Sequence, residues 1–260
     1  MKALLDSISL FPQMFGILKE NGITARAFKK GIWSHQNIHP RDFSCNQYGQ
    51  IDDKPYGGGP GMVMQAKPLE QAILKAKQNQ QENGAKKSKV IYLSAQGSLF
   101  HHRKMLDFLN FIQENGGLIF LCGRYEGVDE RVLMRQVDEE ICLGDFILSG
   151  GELAALSIMD SIIRYLPCAL HSKESLATES FCNGLLEYPQ YTRPEEYEGL
   201  KVPAVLLSGN HHAIFRWRLK ESLRRTRNRR PDLLAKRTLS ALESQLLEEL
   251  SSSELCGEHF

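Results

Sequence analysis

Residues 117–155 read GLIFLCGRYEGVDERVLMRQVDEEICLGDFILSGGELAA, and the fold turns on how this stretch divides. Two short apolar runs, residues 118–122 and 141–143, each end in glycine and open into a loop whose side chains do little for packing. The first loop carries Gly123, Arg124, Tyr125, Glu126, Gly127, Asp129, Glu130 and Arg131. The second brings Gly144, Asp145, Ser149, Gly150, Gly151 and Glu152 to the mouth of a helix. Buried runs punctuated in this way suit parallel strands, and in open α/β sheets ligands bind where the loops leave the strand ends. The two loops form the candidate active site.

Working outward, residues 4–10 suit a buried strand, Pro12 can start a helix and Asn21-Gly22 stops it. A second helical piece spans residues 24–30, closed by Gly31, and residues 32–38 make a weaker strand. Residues 39–61 lack periodicity and end in IDDKPYGGGPGM, a long loop of the kind that is functional or disordered. A helix over residues 68–77 (Leu69, Ala72, Ile73, Ala76) frays into a polar connection. A strand at 90–93 and a turn at 94–98 come next. A helix over 99–115 then carries Leu106, Leu109 and Ile112 at helical spacing. Residues 152–166 read as the clearest helix, with Leu153, Leu156, Met159, Ile163 and Leu166 on one apolar face closed by Pro167. Alternating strand and helix predict an α/β domain with a mainly parallel sheet over residues 1–167. Residues 168–211, irregular and broken by Pro189, Pro194 and Pro203, read as an interdomain linker. Residues 212–250 read as a small all-helical domain, and residues 251–260 as a disordered tail.

A chain of 260 residues with 42% hydrophobic content can bury a full core. The formal charge of +1 means that any nucleic-acid surface must be local. No run reaches the length of a membrane span, and the N-terminal apolar run, interrupted by Asp6, reads as a strand rather than a signal peptide. Six scattered cysteines, with no C-x-x-C pair, exclude a disulfide scaffold and a zinc site. They fit a reducing, cytoplasmic setting, with Cys122 and Cys142 as buried thiols.

The motifs differ in what they specify. YGGGPGM (residues 56–62) lacks the Gly-Lys-Ser/Thr of a nucleotide-triphosphate loop and looks like a fixed, unusual backbone path. The spacing of Gly123 and Gly127 is not the dinucleotide fingerprint. Glu126 can accept from a ribose hydroxyl, while a solvated turn of paired charges accounts for the same residues. Phe146, Ile147 and Leu148 either pack inward or wall a slot for a flat base. Ser149 and Glu152 have capping-box spacing. Arg164 follows Asp160 by four residues, so an intrahelical ion pair competes with a role toward a phosphate or developing anion. Residues 216–230, RWRLKESLRRTRNRR, hold eight basic residues and Trp217, which points to nucleic acid through arginine–phosphate contacts and base stacking. Arg216, Trp217, Arg218, Lys220, Arg224 and Arg225 are the candidate RNA-facing residues.

Together these residues resemble the bacterial tRNA (guanine-N1)-methyltransferases of the knotted SPOUT class. The likeness runs through ISLFPQMF (8–15), DDKPYGGGPGM (52–62), CGRYEGVDER (122–131), GDFILSGGEL (144–153), YTRPEEYEG (191–199), VPAVLLSGNH (202–211) and WRLKESLRRT (217–226). It implies an α/β domain with a C-terminal trefoil knot, a linker, a helical C-terminal domain, and a homodimer whose active sites are shared between subunits. It implies methyl transfer from S-adenosylmethionine to N1 of guanosine 37 in tRNA, and an association with Mg²⁺, for which no ligand set is visible.

By this resemblance the cofactor site falls on Leu93, Ser94, Gly123, Tyr125, Glu126, Leu143, Gly144, Asp145, Phe146, Ile147, Leu148, Gly150 and Gly151, and the tRNA-facing arginine on Arg164. Guanine N1 is a poor nucleophile until its proton leaves, so a general base is needed. Charge then grows toward O6, where Arg164 would stabilise it. The family's base is an Asp, and the matching position holds Glu179, one methylene longer, with Glu174 as the alternative. Ala95 and Ala154 stand where the family usually has proline, which raises loop entropy and implies weaker cofactor binding. A knotted methyltransferase for another RNA base, and a catalytically silent RNA-binding relative, are the rival readings.

Overall fold

A computed structural model describes residues 2–170, 176 and 178–255; the alternative base Glu174 lies outside the described residues. The chain forms two compact units, Met1–His171 and Ser172–Phe260.

The first unit is built on a parallel sheet. Strand β1 (Ala3–Ile8) pairs on one side with β7 (Gly116–Cys122) and on the other with two fragments, β2 (Trp33–Ser34) and β3 (Asn37–Ile38). Beyond β7 lie β6 (Lys87–Leu99) and β8 (Glu139–Cys142), so the order is β2-β1-β7-β6-β8. Every residue of β1 and β7 is buried, as a central parallel strand covered on both faces requires. Alternation along β7 sends Leu118, Phe120 and Cys122 to one face and Ile119 and Leu121 to the other. The first face packs against α4 (His102–Gln113) and α6 (Glu152–Tyr165), with α1 (Gly16–Glu20) and α2 (Gly22–Lys29) alongside. The second packs against α3 (Ala66–Glu82) and α5 (Glu130–Gln136). The expected mainly parallel α/β architecture is what the chain forms.

Several boundaries differ from the expectations. The turn at 94–98 is strand: β6 runs on to Leu99, and its pairing with β8 shifts register between Leu93 and Ser98. At this bulge Leu93 and Ser98 both pair with Ile141, so residues 94–97 leave the ladder beside the candidate site. Helix α3 does not fray at 77, because Gln80 is buried and donates to Asp6 Oδ2 (2.9 Å) and to the Leu118 carbonyl (3.0 Å). The loop at 39–61 is not structureless: it holds a 3-10 turn, Pro40–Phe43, and β4 (Asp52–Asp53), paired with β5 (Val63–Met64). The helix expected over 99–115 is shorter, and residues 116–117 open β7 rather than end the helix. On α6 the buried face is Ala155, Ile158, Met159, Ile162 and Ile163, while Leu153 is exposed. Cys122 and Cys142 are free and buried, as expected.

In the second unit a hairpin, β9 (Glu196–Tyr197) with β10 (Leu200–Lys201), and α7 (Ala204–Leu207) interrupt the segment read as linker. Helices α8 (His211–Arg229), α9 (Pro231–Ala235) and α10 (Ala241–Leu255) follow, so helix persists past residue 250. Leu185, Leu223, Leu246 and Leu250 form the core of this unit. Ser240 and Glu243 close the start of α10 as a capping box: Ser240 N donates to Glu243 Oε2 (2.8 Å) and Glu243 N to Ser240 Oγ (3.3 Å).

Two buried ionisable groups sit at β1 and its edge. Burial raises the Asp6 carboxyl to about 6, against hydrogen bonds from Gln36 and Gln80, and lowers His35 to about 3, with Lys19 adding to the effect. Asp6 therefore favours the folded state below pH 3.8 and loses that contribution as pH rises to 6. His35 penalises the folded state increasingly as pH falls below 6.5. Each slope is about 1.4 kcal/mol per pH unit, and between about pH 4 and 6 the two oppose. His35→Gln removes one arm, so stability of the variant falls with rising pH over that interval by about 1.4 kcal/mol per unit. Urea unfolding at several pH values checks this; a variant whose pH profile parallels the wild type contradicts it.

Candidate functional site

The site is assembled at the C-terminal ends of β6, β7 and β8. There the bulged end of β6, the loop after β7 and the loop after β8 enclose a cavity of about 260 Å³. Of the residues expected to hold the cofactor, Leu93, Ser94, Gly123, Tyr125, Glu126, Leu143, Gly144, Phe146, Ile147, Leu148, Gly150 and Gly151 line it. Asp145 does not. Ala95 and Ala154 line it too, as do Tyr92, Gln96, Arg124 and Ser149, for which the sequence offers no cofactor signal.

The two loops are joined by backbone and by charge. Gly151 N donates to the Gly123 carbonyl (3.1 Å). Glu152, fully buried at the first turn of α6, is paired with Arg124, whose Nε lies 3.0 Å and Nη2 2.8 Å from Glu152 Oε2. Ser9 Oγ donates to the other carboxylate oxygen at 2.6 Å, while Arg124 Nη1 donates to the Ser149 carbonyl at 2.9 Å. The Arg124 guanidinium also lies 4.3 Å from the centroid of the Phe11 ring. The capping box expected from Ser149 and Glu152 is absent: Gly151 is the N-cap, with no side-chain hydrogen bond. A buried carboxylate needs a cation more than the helix needs a cap, and Arg124 is within reach. Beside this pair, burial and then the Glu152 charge push the Cys122 thiol well up, which keeps it neutral.

The glycine-rich loop supports the same wall. Glu126 N donates to the Met62 carbonyl and Met64 N to the Gly127 carbonyl, both at 2.9 Å. A side chain at Gly61, whose φ is +81°, would run into the Glu126 carboxylate. At Gly150 an added Cβ would fall 2.2 Å from Arg124 Nε, so only glycine lets the ion pair pass. Tyr125, at the lip, has a φ of +59°, an uncommon conformation for an aromatic residue and one that concentrates at functional sites.

Arg164 stands half-buried in the last turn of α6 of the first unit. Glu179 lies in the second unit, half-buried in the turn before Leu185, where its carbonyl accepts from Cys182 N at 3.3 Å. On α8 the basic run is partly committed within the fold. Arg216 and Lys220 both pair with Glu249 on α10, Arg224 pairs with Glu221, and Arg230 pairs with Asp232. Trp217 approaches Tyr191, with ring centroids 6.3 Å apart, and Arg218 lies 4.8 Å from the Tyr188 ring centroid. Arg225 is half-buried.

A family model described as tRNA (Guanine-1)-methyltransferase TrmD matches residues 3–236. The chain belongs to this family. Proteins named tRNA (guanine-N(1)-)-methyltransferase are similar over nearly its whole length. That of Dechloromonas aromatica is 55% identical over 97% of this chain and 98% of the relative. That of Chromobacterium violaceum is 50% identical over 96% of each chain. That of Neisseria meningitidis serogroup B is 48% identical over 96% of this chain and 98% of its own. Within the family fold, the cavity at the ends of β6, β7 and β8 brings polar and apolar side chains of both motif loops together. Among the described residues no cluster of three or more His, Cys, Asp or Glu side chains could hold a metal ion, and no helix is long and apolar enough to cross a membrane.

Glu152→Gln leaves the Arg124 guanidinium without its counter-charge in a buried setting and is expected to cost about 3–5 kcal/mol. Urea unfolding measures this. A loss below about 1 kcal/mol, the range of an exposed pair, contradicts the assigned role.

Proposed function

We propose that the chain is a tRNA (guanine-N1)-methyltransferase that transfers the methyl group of S-adenosylmethionine to N1 of guanosine 37. The observation that carries this reading is the enclosure of a single cavity by the two loops of the family motifs CGRYEGVDER and GDFILSGGEL. Its chemistry fits the cofactor. Leu93, Leu143, Phe146, Ile147 and Leu148 offer an apolar slot for a flat base, Glu126 an acceptor for ribose hydroxyls, and the glycines let backbone approach closely. When bound, S-adenosylmethionine supplies an activated methyl on its sulfonium.

The remaining tasks fall to the chain. Alignment of the guanine and exclusion of water come from the loop walls. We assign Glu179 as the base that accepts the N1 proton as the N1–methyl bond forms, and Arg164 as the cation that stabilises charge growing at O6. Ala95 sits in the bulged part of β6 and Ala154 in the first turn of α6; both border the cavity, and proline at either position would stiffen its wall.

The reading extends to a C-terminal trefoil knot in the α/β domain, a cytoplasmic homodimer with shared active sites, and, after a linker, a helical C-terminal domain that grips tRNA through α8. Gly151 seated against Gly123 is consistent with a chain passing closely by β7. Phe146, Ile147 and Leu153 remain exposed beside the cavity, as an apolar face that a second subunit would cover. Among the described residues no cluster of three or more His, Cys, Asp or Glu side chains offers Mg²⁺ a ligand set.

Labelled S-adenosylmethionine with tRNA carrying guanosine or adenosine at position 37 tests the reaction: only the guanosine form is expected to be labelled. Labelling of both alike, or of neither, overturns the reading. Glu179→Gln should lower kcat by about 100-fold or more, the scale of general-base catalysis, with cofactor affinity retained. Unchanged turnover places the base elsewhere.

A further inference from the structure

Within the second unit a crevice of about 440 Å³ lies between the 188–195 segment, α7 and α8. Its walls include three aromatic side chains, Tyr188, Tyr191 and Trp217, with Ile214 beside them and Arg193 and Arg218 also contributing. None of this lining is needed to close the core of the unit, which is made of leucines that do not reach the crevice. Tyr191 keeps 48% of its surface exposed, and Trp217 is half-buried.

The charge on α8 points the same way. Arg216, Lys220 and Arg224 have carboxylate partners, whereas Arg218, Arg225 and Arg229 have none among the described residues. Ile214, Arg218, Arg225 and Arg229 are separated by four, seven and four residues, which keeps them on one side of the helix. The arginines without a carboxylate partner among the described residues thus form a stripe leading away from the aromatic crevice.

We propose that this crevice is a stacking site for one unpaired base of the RNA substrate, with the arginine stripe following the adjoining phosphates. Aromatic platforms beside a basic track are what single-stranded nucleic acid requires. Contact with a duplex alone would use the charge and leave the rings idle. The proposal rests on the reading of the chain as a tRNA-modifying enzyme, and goes beyond it by assigning a base-binding site apart from the methyl-transfer cavity.

The chain has two tryptophans, and Trp33 is only 1% exposed in the core of the first unit, so RNA-dependent quenching reports Trp217. The full-length protein is titrated with an anticodon stem-loop RNA and with the same stem as a closed duplex. Quenching is expected with the stem-loop and not with the duplex. Tyr191→Ala should weaken stem-loop binding by roughly 5- to 100-fold, the range for loss of one stacked base. Tyr191→Phe, which keeps the ring, should bind as the wild type, with S-adenosylmethionine affinity unchanged in both variants. Equal quenching by the duplex, wild-type binding by Tyr191→Ala, or failure of Tyr191→Phe to rescue each overturns the proposal. Guanosine 37 methylation by the wild type without quenching would overturn the stacking site and leave the methyl-transfer reading standing.

Discussion

Glu152 carries a carboxylate that is wholly withdrawn from water, and the geometry of the candidate site depends on how that charge is satisfied. An unpaired carboxylate in such a place would cost several kcal/mol. Here Arg124 reaches it from the loop after β7, and Ser9 reaches it from the end of β1. One buried charge therefore ties two segments far apart in sequence to the start of α6. Because Arg124 also donates to the Ser149 carbonyl, the same guanidinium fixes where the second loop runs. The glycines of this loop follow from the pair as much as from any ligand, since Gly150 faces the guanidinium at a distance that excludes a side chain.

The sheet supplies the frame for this arrangement. Parallel strands buried on both faces leave their C-terminal ends as the place where loops of polar sequence can gather without disturbing the core. The bulge in β6 carries residues 93–98 alongside β8, so a third wall forms without a separate loop. The glycine-rich segment adds a fourth support by pairing its backbone with residues 126–129, which holds Glu126 at the rim. The cavity thus rests on backbone contacts and one charge pair, while its apolar residues stay available for a ligand.

Much of this was legible in residue order. Because glycine punctuates each apolar run, the strands that form at Gly116–Cys122 and Glu139–Cys142 were readable with ends shifted by one or two residues, and the cavity is lined by nearly all the residues expected there. Long-range partnerships were not readable. The spacing of Ser149 and Glu152 suggests a local capping box, whereas the partner of Glu152 lies 28 residues away. Gln80 looked like part of a polar linker, yet it is buried to satisfy Asp6 and the Leu118 carbonyl. Ser240 and Glu243 do form a capping box, at the start of the helix that packs against the basic run. In that run the charges looked equivalent, and only packing against α10 separates Arg216 and Lys220 from Arg218 and Arg225. Local pattern reveals strand ends and helix faces, whereas the pairing of buried polar groups is decided by tertiary proximity.

Amide hydrogen exchange with and without S-adenosylhomocysteine tests the proposal that the cavity beside the Glu152–Arg124 pair receives S-adenosylmethionine. Added protection is expected to concentrate in residues 93–96, 123–127 and 143–151. Protection confined to other segments, or none at saturating ligand, would contradict it.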